Sequence, residues 1–167
     1  MKPYHRVLWP LYVVWFLRWL LFVAPIWMLF YQSRGLDLAG IGLVSSAGYA
    51  TMFALEYPTG IFADRWGHKK SVLCALILLT LGYIIELNAY SLRMFIIGGG
   101  LCLGASYAFA SGAWESLVYE TLKKKRLERY NSKSKGLFDA IGHYAAIFSA
   151  LAAHRTSSLT LNAPRRK

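Results

Sequence analysis

The sequence predicts an all-α fold, a multi-pass transmembrane helix bundle. Three observations lead there. Of 167 residues, 56% are hydrophobic and 16% are charged, with a mean hydropathy of +0.37, whereas soluble domains carry about a quarter charged residues. The apolar residues fall in runs long enough to cross a bilayer as helices. The cations gather between those runs, mostly on one side of the membrane. Other classes are excluded. An aromatic content of 16% is too rich for disorder. The glycines show no collagen period, and only Cys74 and Cys102 are available for a disulfide, both inside apolar runs.

The first run, residues 7–31, would rise about 37 Å as a helix. It is too long, and too rich in Trp and Phe, for a cleaved signal peptide. Pro25 is expected to kink it. Residues 32–40 form a polar turn, and the second run covers 41–62. A third covers 71–89. Tyr90 and Ser91 make a tight connection to the fourth, 93–118. A basic stretch, 123–135, precedes a weaker fifth run at 136–153, which carries Asp139 and His143. Residues 1–153 therefore read as one partial transmembrane bundle, and 154–167 as a polar, basic, disordered tail.

With a cytoplasmic N-terminus, the inner side receives Lys2, Arg6, Arg65, Lys69, Lys70, Lys123, Lys124, Lys125, Arg126, Arg129, Lys133 and Lys135. The outer side receives only Arg34 and Arg93, which is the asymmetry of a cytoplasmic-membrane protein. Arg155, Arg165, Arg166 and Lys167 would lie outside if the fifth run crossed, against that rule. Either this run does not cross fully, or the chain departs near His154 from the sequence it descends from; the second is favoured. The net charge of +11 does not indicate nucleic acid, because the cations share no single face. The expected partner is the lipid bilayer.

Ionisable residues inside apolar runs are functional candidates by default. Arg18 lies about 16 Å into its run and Glu56 about 9 Å from the inner end of the second. Glu115 lies at the inner end of the fourth. Arg18 either faces a cavity or a carboxylate such as Glu56, or reaches an interface by tilting. Glu86 and Glu120 read as side chains that snorkel to the interfaces. Gly100, Gly104, Ala108 and Gly112 recur every four residues and form a small-residue stripe for close helix packing. No cofactor or metal site is expected. His5, His68, His143 and His154 lack ligand spacing, and no nucleophile elbow or phosphate loop occurs. Nothing assembles an enzyme's nucleophile and base.

The most particular segment joins the second and third runs: Glu56-Tyr57-Pro58-Thr59-Gly60-Ile61-Phe62-Ala63-Asp64-Arg65-Trp66-Gly67-His68-Lys69-Lys70. It resembles the loop motif of the major facilitator superfamily, which runs G-x-L-a-D-r-x-G-r-k. Gly60, Asp64, Arg65, Gly67, Lys69 and Lys70 fit; Phe62 stands for Leu, and His68 for a basic residue. Residues 56–60 and 111–120 are similar to one bacterial, efflux-like branch. The resemblance covers about residues 7–153.

It implies the N-terminal portion of a major facilitator fold, in a secondary active transporter for an unidentified small-molecule substrate, efflux-like and proton-coupled. Asp64 and Arg65 would be gating residues, and Glu56 or Glu115 the coupling carboxylates. The family has two halves of six spans, so a chain with four or five is expected to be truncated and inactive alone, with a complementary half as its partner. The alternative is a small helical membrane protein that associates with itself or a partner through the glycine stripe.

Overall fold

Asp37 opens the first long helix of the chain. Its backbone is extended, and its side-chain oxygen accepts the Gly40 N–H at 2.8 Å, a cap for an otherwise orphaned donor. The computed structural model that shows this describes residues 3–21 and 27–161, with side chains for 4–19 and 27–148. The described residues form eight α-helices and no strand: α1 (Pro3–Leu21), α2 (Trp27–Ser33), α3 (Leu38–Trp66), α4 (His68–Leu87), α5 (Leu92–Phe95), α6 (Leu103–Ala110), α7 (Ala113–Lys123) and α8 (Asn131–Leu161). A π-helical turn, Ile96–Cys102, joins α5 to α6, and a 3₁₀ turn, Glu128–Tyr130, precedes α8. Among the described residues, three stretches are long and apolar enough to cross a bilayer: Leu38–Trp66, His68–Leu87 and Leu92–Lys123. The chain is an all-α membrane helix bundle.

It divides into two compact units, one of residues 1–30 and 121–167 and the other of Tyr31–Glu120. In the first, α1 packs along α8 through aromatic rings. Tyr12 and Phe138 lie 4.5 Å apart, and Tyr4 stacks on Tyr130 at 4.8 Å. The Trp15 indole N–H donates to the Phe138 carbonyl at 2.9 Å. Gly142 leaves room for both Trp15 and Trp19, whose ring nitrogens lie 3.4 and 3.1 Å from where its Cβ would be.

In the second unit, α3, α4 and the α5–α6 segment meet at backbone distance. A Cβ on Gly104 would sit 2.5 Å from the Gly48 carbonyl oxygen, one on Gly100 would lie 2.9 Å from Ala47 Cβ, and one on Gly82 would lie 3.1 Å from the Gly98 carbonyl. Large apolar side chains point the other way: Phe53, Tyr57, Ile77, Ile84 and Leu87 are all exposed. Val44, Leu79 and Phe95 are buried as in any core, but so many outward apolar side chains suit lipid, where small residues and backbone contact hold helices together.

The helix boundaries differ from those read in the sequence, each for a local reason. α3 runs beyond 41–62 in both directions because Asp37 caps its start and Gly67 stops it. At φ 93°, ψ 144°, Gly67 occupies a conformation closed to side-chain-bearing residues. α4 begins directly at His68. The expected single helix at 93–118 is interrupted twice. The Gly98-Gly99-Gly100 run widens into the π-helical turn, and the chain breaks at Ser111 (ψ 126°) and Gly112 (φ 67°) before α7.

That break withdraws the N–H groups that the Ala108 and Phe109 carbonyls would use. The Ala113 N–H turns to Ser111 instead. Ser71 replaces the second of them: its hydroxyl donates to the Phe109 carbonyl at 2.8 Å. The Thr59 hydroxyl lies 3.1 Å from the Ala108 carbonyl and shares its one proton with the nearer Leu55 carbonyl of its own helix, at 2.8 Å. The fifth run starts earlier than 136, at Asn131, and α8 continues to Leu161. The expected tail at 154–161 is helical because no Gly or Pro interrupts it before Pro164. The described parts of the first run lie in α1 and α2. The expected kink at Pro25 and residues 162–167 lie outside the described residues.

Candidate functional site

The α3–α4 junction gathers the charged loop residues at one end of the second unit. Asp64 and Arg65 occupy the last turn of α3; Lys69 and Lys70 occupy the first turn of α4, and all four are exposed. A helix dipole favours cations at its C-terminus and anions at its N-terminus. Asp64, Lys69 and Lys70 are placed against that preference, so helix stability does not account for them. Phe62, which replaces the motif's Leu, fixes the end of α3. Its ring meets Trp66 at 4.4 Å and Phe109 at 5.2 Å, both edge-on. A Cβ on Gly60 would meet nothing within 4 Å, while Gly67 is required by its backbone angles. His68 is half-buried, with Nε2 3.6 Å from a Glu120 carboxylate oxygen. Glu120 therefore lies against the loop instead of reaching away from it.

The other sequence candidates are distributed. Arg18 is half-buried on α1 in the first unit, Glu56 is exposed on α3, and Glu115 is exposed in the first turn of α7. The glycine stripe is occupied inside the second unit: Gly100 and Gly104 lie against Ala47, Gly48 and Thr51 of α3, and Ala108 is buried. Gly112 is not part of that contact. It sits in the break after α6 with a positive φ, and a Cβ there would meet nothing within 4 Å. A stripe already filled by α3 does not supply a free face for association.

Glu86 departs most from the sequence reading. It does not snorkel. It is 6% exposed, and its carboxyl accepts a hydrogen bond from the Tyr31 hydroxyl. The signal for this is present in the sequence. The buried residues of α4 are Ser71, Val72, Ala75, Leu79, Gly82 and Glu86, so the helical period carries Glu86 onto the inner face. Tyr31 is held in turn by the fully buried Phe95, with ring centroids 4.7 Å apart. Thr59, Ser71 and Ser106 also escape the sequence reading. Ser106 donates to the Ala75 carbonyl at 2.8 Å and ties α6 to α4.

Comparison with known proteins gives a family and partial relatives. The family described as Major Facilitator Superfamily matches residues 8–157. An "Uncharacterized MFS-type transporter YxaM" from Bacillus subtilis is 25% identical over 120 residues, covering 68% of this chain and 28% of that protein. The class B tetracycline resistance protein of Escherichia coli is 31% identical over 97 residues, 53% of this chain and 21% of its own length. The gallate transporter of Pseudomonas putida is 36% identical over 88 residues, 51% and 19% respectively. The chain thus spans 19% to 28% of the length of these relatives. No solved structure matches it.

Proposed function

The chain belongs to the major facilitator superfamily, a family of transporters rather than enzymes, and from that premise we propose that it supplies the N-terminal spans of a proton-coupled secondary transporter that exports a small solute. It sits in the cytoplasmic membrane with its N-terminus and the α3–α4 loop on the inner side. The 167 residues do not move solute alone, because transport in this fold takes two halves around a midplane site. The observation that carries the reading is the α3–α4 junction. Gly67 forces a turn with no linker, and Asp64, Arg65, Lys69 and Lys70 project from it, three of them against the helix dipoles. That is the disposition of charges that serve a contact beyond their own helices. Asp64 and Arg65 act there as gating residues that hold one conformation against the complementary half. The names of two relatives mention tetracycline and gallate, both small organic molecules, which supports the small-solute class.

Vesicle labelling tests the arrangement. In a background with Cys74 and Cys102 replaced by serine, Lys70→Cys should react with an impermeant maleimide only in inverted vesicles. Arg34→Cys should react only in right-side-out ones. The reverse pattern would overturn the orientation and, with it, the gating role. Purified chain in liposomes under a pH gradient should show no saturable uptake of tetracycline or gallate; gradient-driven uptake would overturn the inactivity of the isolated spans.

A further inference from the structure

We propose that Glu86 is the proton-binding carboxyl of this bundle, with Tyr31 as its positioning residue and the Gly98–Gly99 backbone as its cover. The proposal rests on the proton-coupled reading above and replaces Glu56 and Glu115 with a different residue. Both of those are exposed, whereas Glu86 is the one buried acid among the described residues.

The geometry is that of a built site. Glu86 lies 18 residues beyond His68 on α4, about 27 Å from the charged loop, so the two sit at opposite ends of the same helix. Its neighbours come from three other elements. Tyr31 of α2 donates to its carboxyl. From the π-helical turn, Gly98 and Gly99 press on it. A Cβ on Gly98 would lie 3.0 Å from Glu86 Cγ, and a Cβ on Gly99 would collide with the Glu86 carboxyl oxygen and lie 2.5 Å from the Tyr31 hydroxyl. Val44 of α3 closes the same side, 2.9 Å from that position. The carboxyl and phenol occupy the room that two missing side chains leave. π-helical turns concentrate at functional sites because the widened backbone re-aims groups there.

The charge inventory around the site is sparse. Val44, Gly98 and Gly99 bring no titratable group, and α4 adds only the Tyr83 phenol near Tyr31. Arg34, at the same end of the unit, donates to the Leu87 carbonyl at 2.9 Å and the Ala89 carbonyl at 3.5 Å, and its guanidinium lies over the Tyr90 ring at 5.3 Å. No described cation of the unit lies within ion-pair distance of Glu86. A carboxylate buried here would be an unpaired charge in a membrane span, which is costly. Binding a proton removes that charge: a hydronium ion gives up one proton, its O–H bond breaking as the O–H of the acid forms, and a neutral water is left. Tyr31 can donate to the carboxylate and equally to the carbonyl oxygen of the acid, so the site keeps its geometry in both states. Release then requires the Gly98–Gly99 cover to move and admit water.

Infrared difference spectroscopy of the 167-residue chain in lipid nanodiscs reads this directly, with no transport needed. At neutral pH the chain should show the carbonyl stretch of a protonated, water-shielded carboxylic acid, sensitive to deuterium exchange. Glu86→Gln should lose the band, Tyr31→Phe should shift it, and Glu56→Gln and Glu115→Gln should leave it unchanged. A band that survives Glu86→Gln, or no band in the native chain, would overturn the assignment. If Glu86→Gln does not fold by circular dichroism, Tyr31→Phe decides: a shifted band supports the proposal and an unshifted one overturns it. Failure of solute transport would bear on the transporter reading and leave the band where it is.

Discussion

At the scale of single residues, the hydroxyls of Thr59, Ser71 and Ser106 bind the helices of the second unit by a means that hydropathy does not reveal. Ser71 and Ser106 donate to carbonyls of neighbouring helices, and Thr59 shares its proton between Ala108 and the Leu55 carbonyl of its own helix. Ser71 matters most, because the Phe109 carbonyl it serves has lost its helical partner at the Ser111–Gly112 break and, unlike Thr59, Ser71 does not divide its proton with a carbonyl of its own helix. Ser71→Ala should therefore destabilise the bundle by about 1.5 kcal/mol, near the top of the range for interhelical hydrogen bonds in membranes. Thr80→Ala should be close to neutral, since that hydroxyl only bonds back to Leu76 on its own exposed surface. Unfolding in mixed detergent micelles, followed by circular dichroism, separates the two; equal effects would show that the interhelical bond contributes nothing. Serine is nearly silent in an apolar run, which is why these contacts are hidden from a reading of hydropathy. Glu86 is legible in principle, through the four-residue step from Gly82, but its charge suggests an interface where periodicity indicates burial.

At the scale of helices, starts and stops with a chemical cause are readable and interruptions are not. Asp37 and Gly67 mark the ends of α3 by capping and by backbone angle, and both are visible in a sequence. The triple glycine reads in sequence as part of one continuous span. It is instead a π-helical turn, with Gly82 of α4 and Gly48 and Ala47 of α3 at backbone distance, contacts between segments far apart in sequence that the run itself does not display. Of the four-residue stripe, Gly100 and Gly104 meet α3 and Ala108 is buried beside them. Gly112 falls away because α6 ends before the last step of that spacing.

The stripe yields a sharp expectation. In Gly104→Ala the new methyl meets the Gly48 carbonyl oxygen at 2.5 Å and Thr51 Cβ at 2.9 Å, so α3 and α6 must separate. Overpacking of this kind costs about 1–3 kcal/mol. Gly42→Ala on the same α3, with nothing within 4 Å, should be neutral or gain up to about 1 kcal/mol of helix propensity. If both changes behaved alike in the same micelle titration, the close approach of α3 and α6 would be refuted.

At the scale of the whole molecule, composition and charge placement suffice for the class of fold, because the bilayer permits few solutions: with no water to satisfy the backbone, long apolar segments must be helical. They say nothing of which face each helix turns to its neighbours, since the apolar residues surround the helices almost evenly. The second unit answers with an inversion that is partial: glycine, serine and alanine make the closest helix contacts, Val44, Leu79 and Phe95 are buried beside them, and many large apolar side chains turn outward. The inversion separates a lipid-embedded bundle from a water-soluble one in a single substitution. Phe53 lies near the middle of α3 and is 82% exposed. On a soluble helix, Phe53→Lys would raise solubility at no cost in stability. In a span, a lysine at the midplane costs about 3 kcal/mol of insertion free energy, and Phe53 is too far from either end for the ammonium to snorkel fully. Membrane fractionation should therefore show Phe53→Lys depleted from the bilayer several-fold, while Trp66→Lys, at the helix end beside Arg65, inserts as well as the native chain. Equal recovery of both variants from the membrane would mean that Phe53 does not face lipid, and the inward placement of the small residues would have to be abandoned with it.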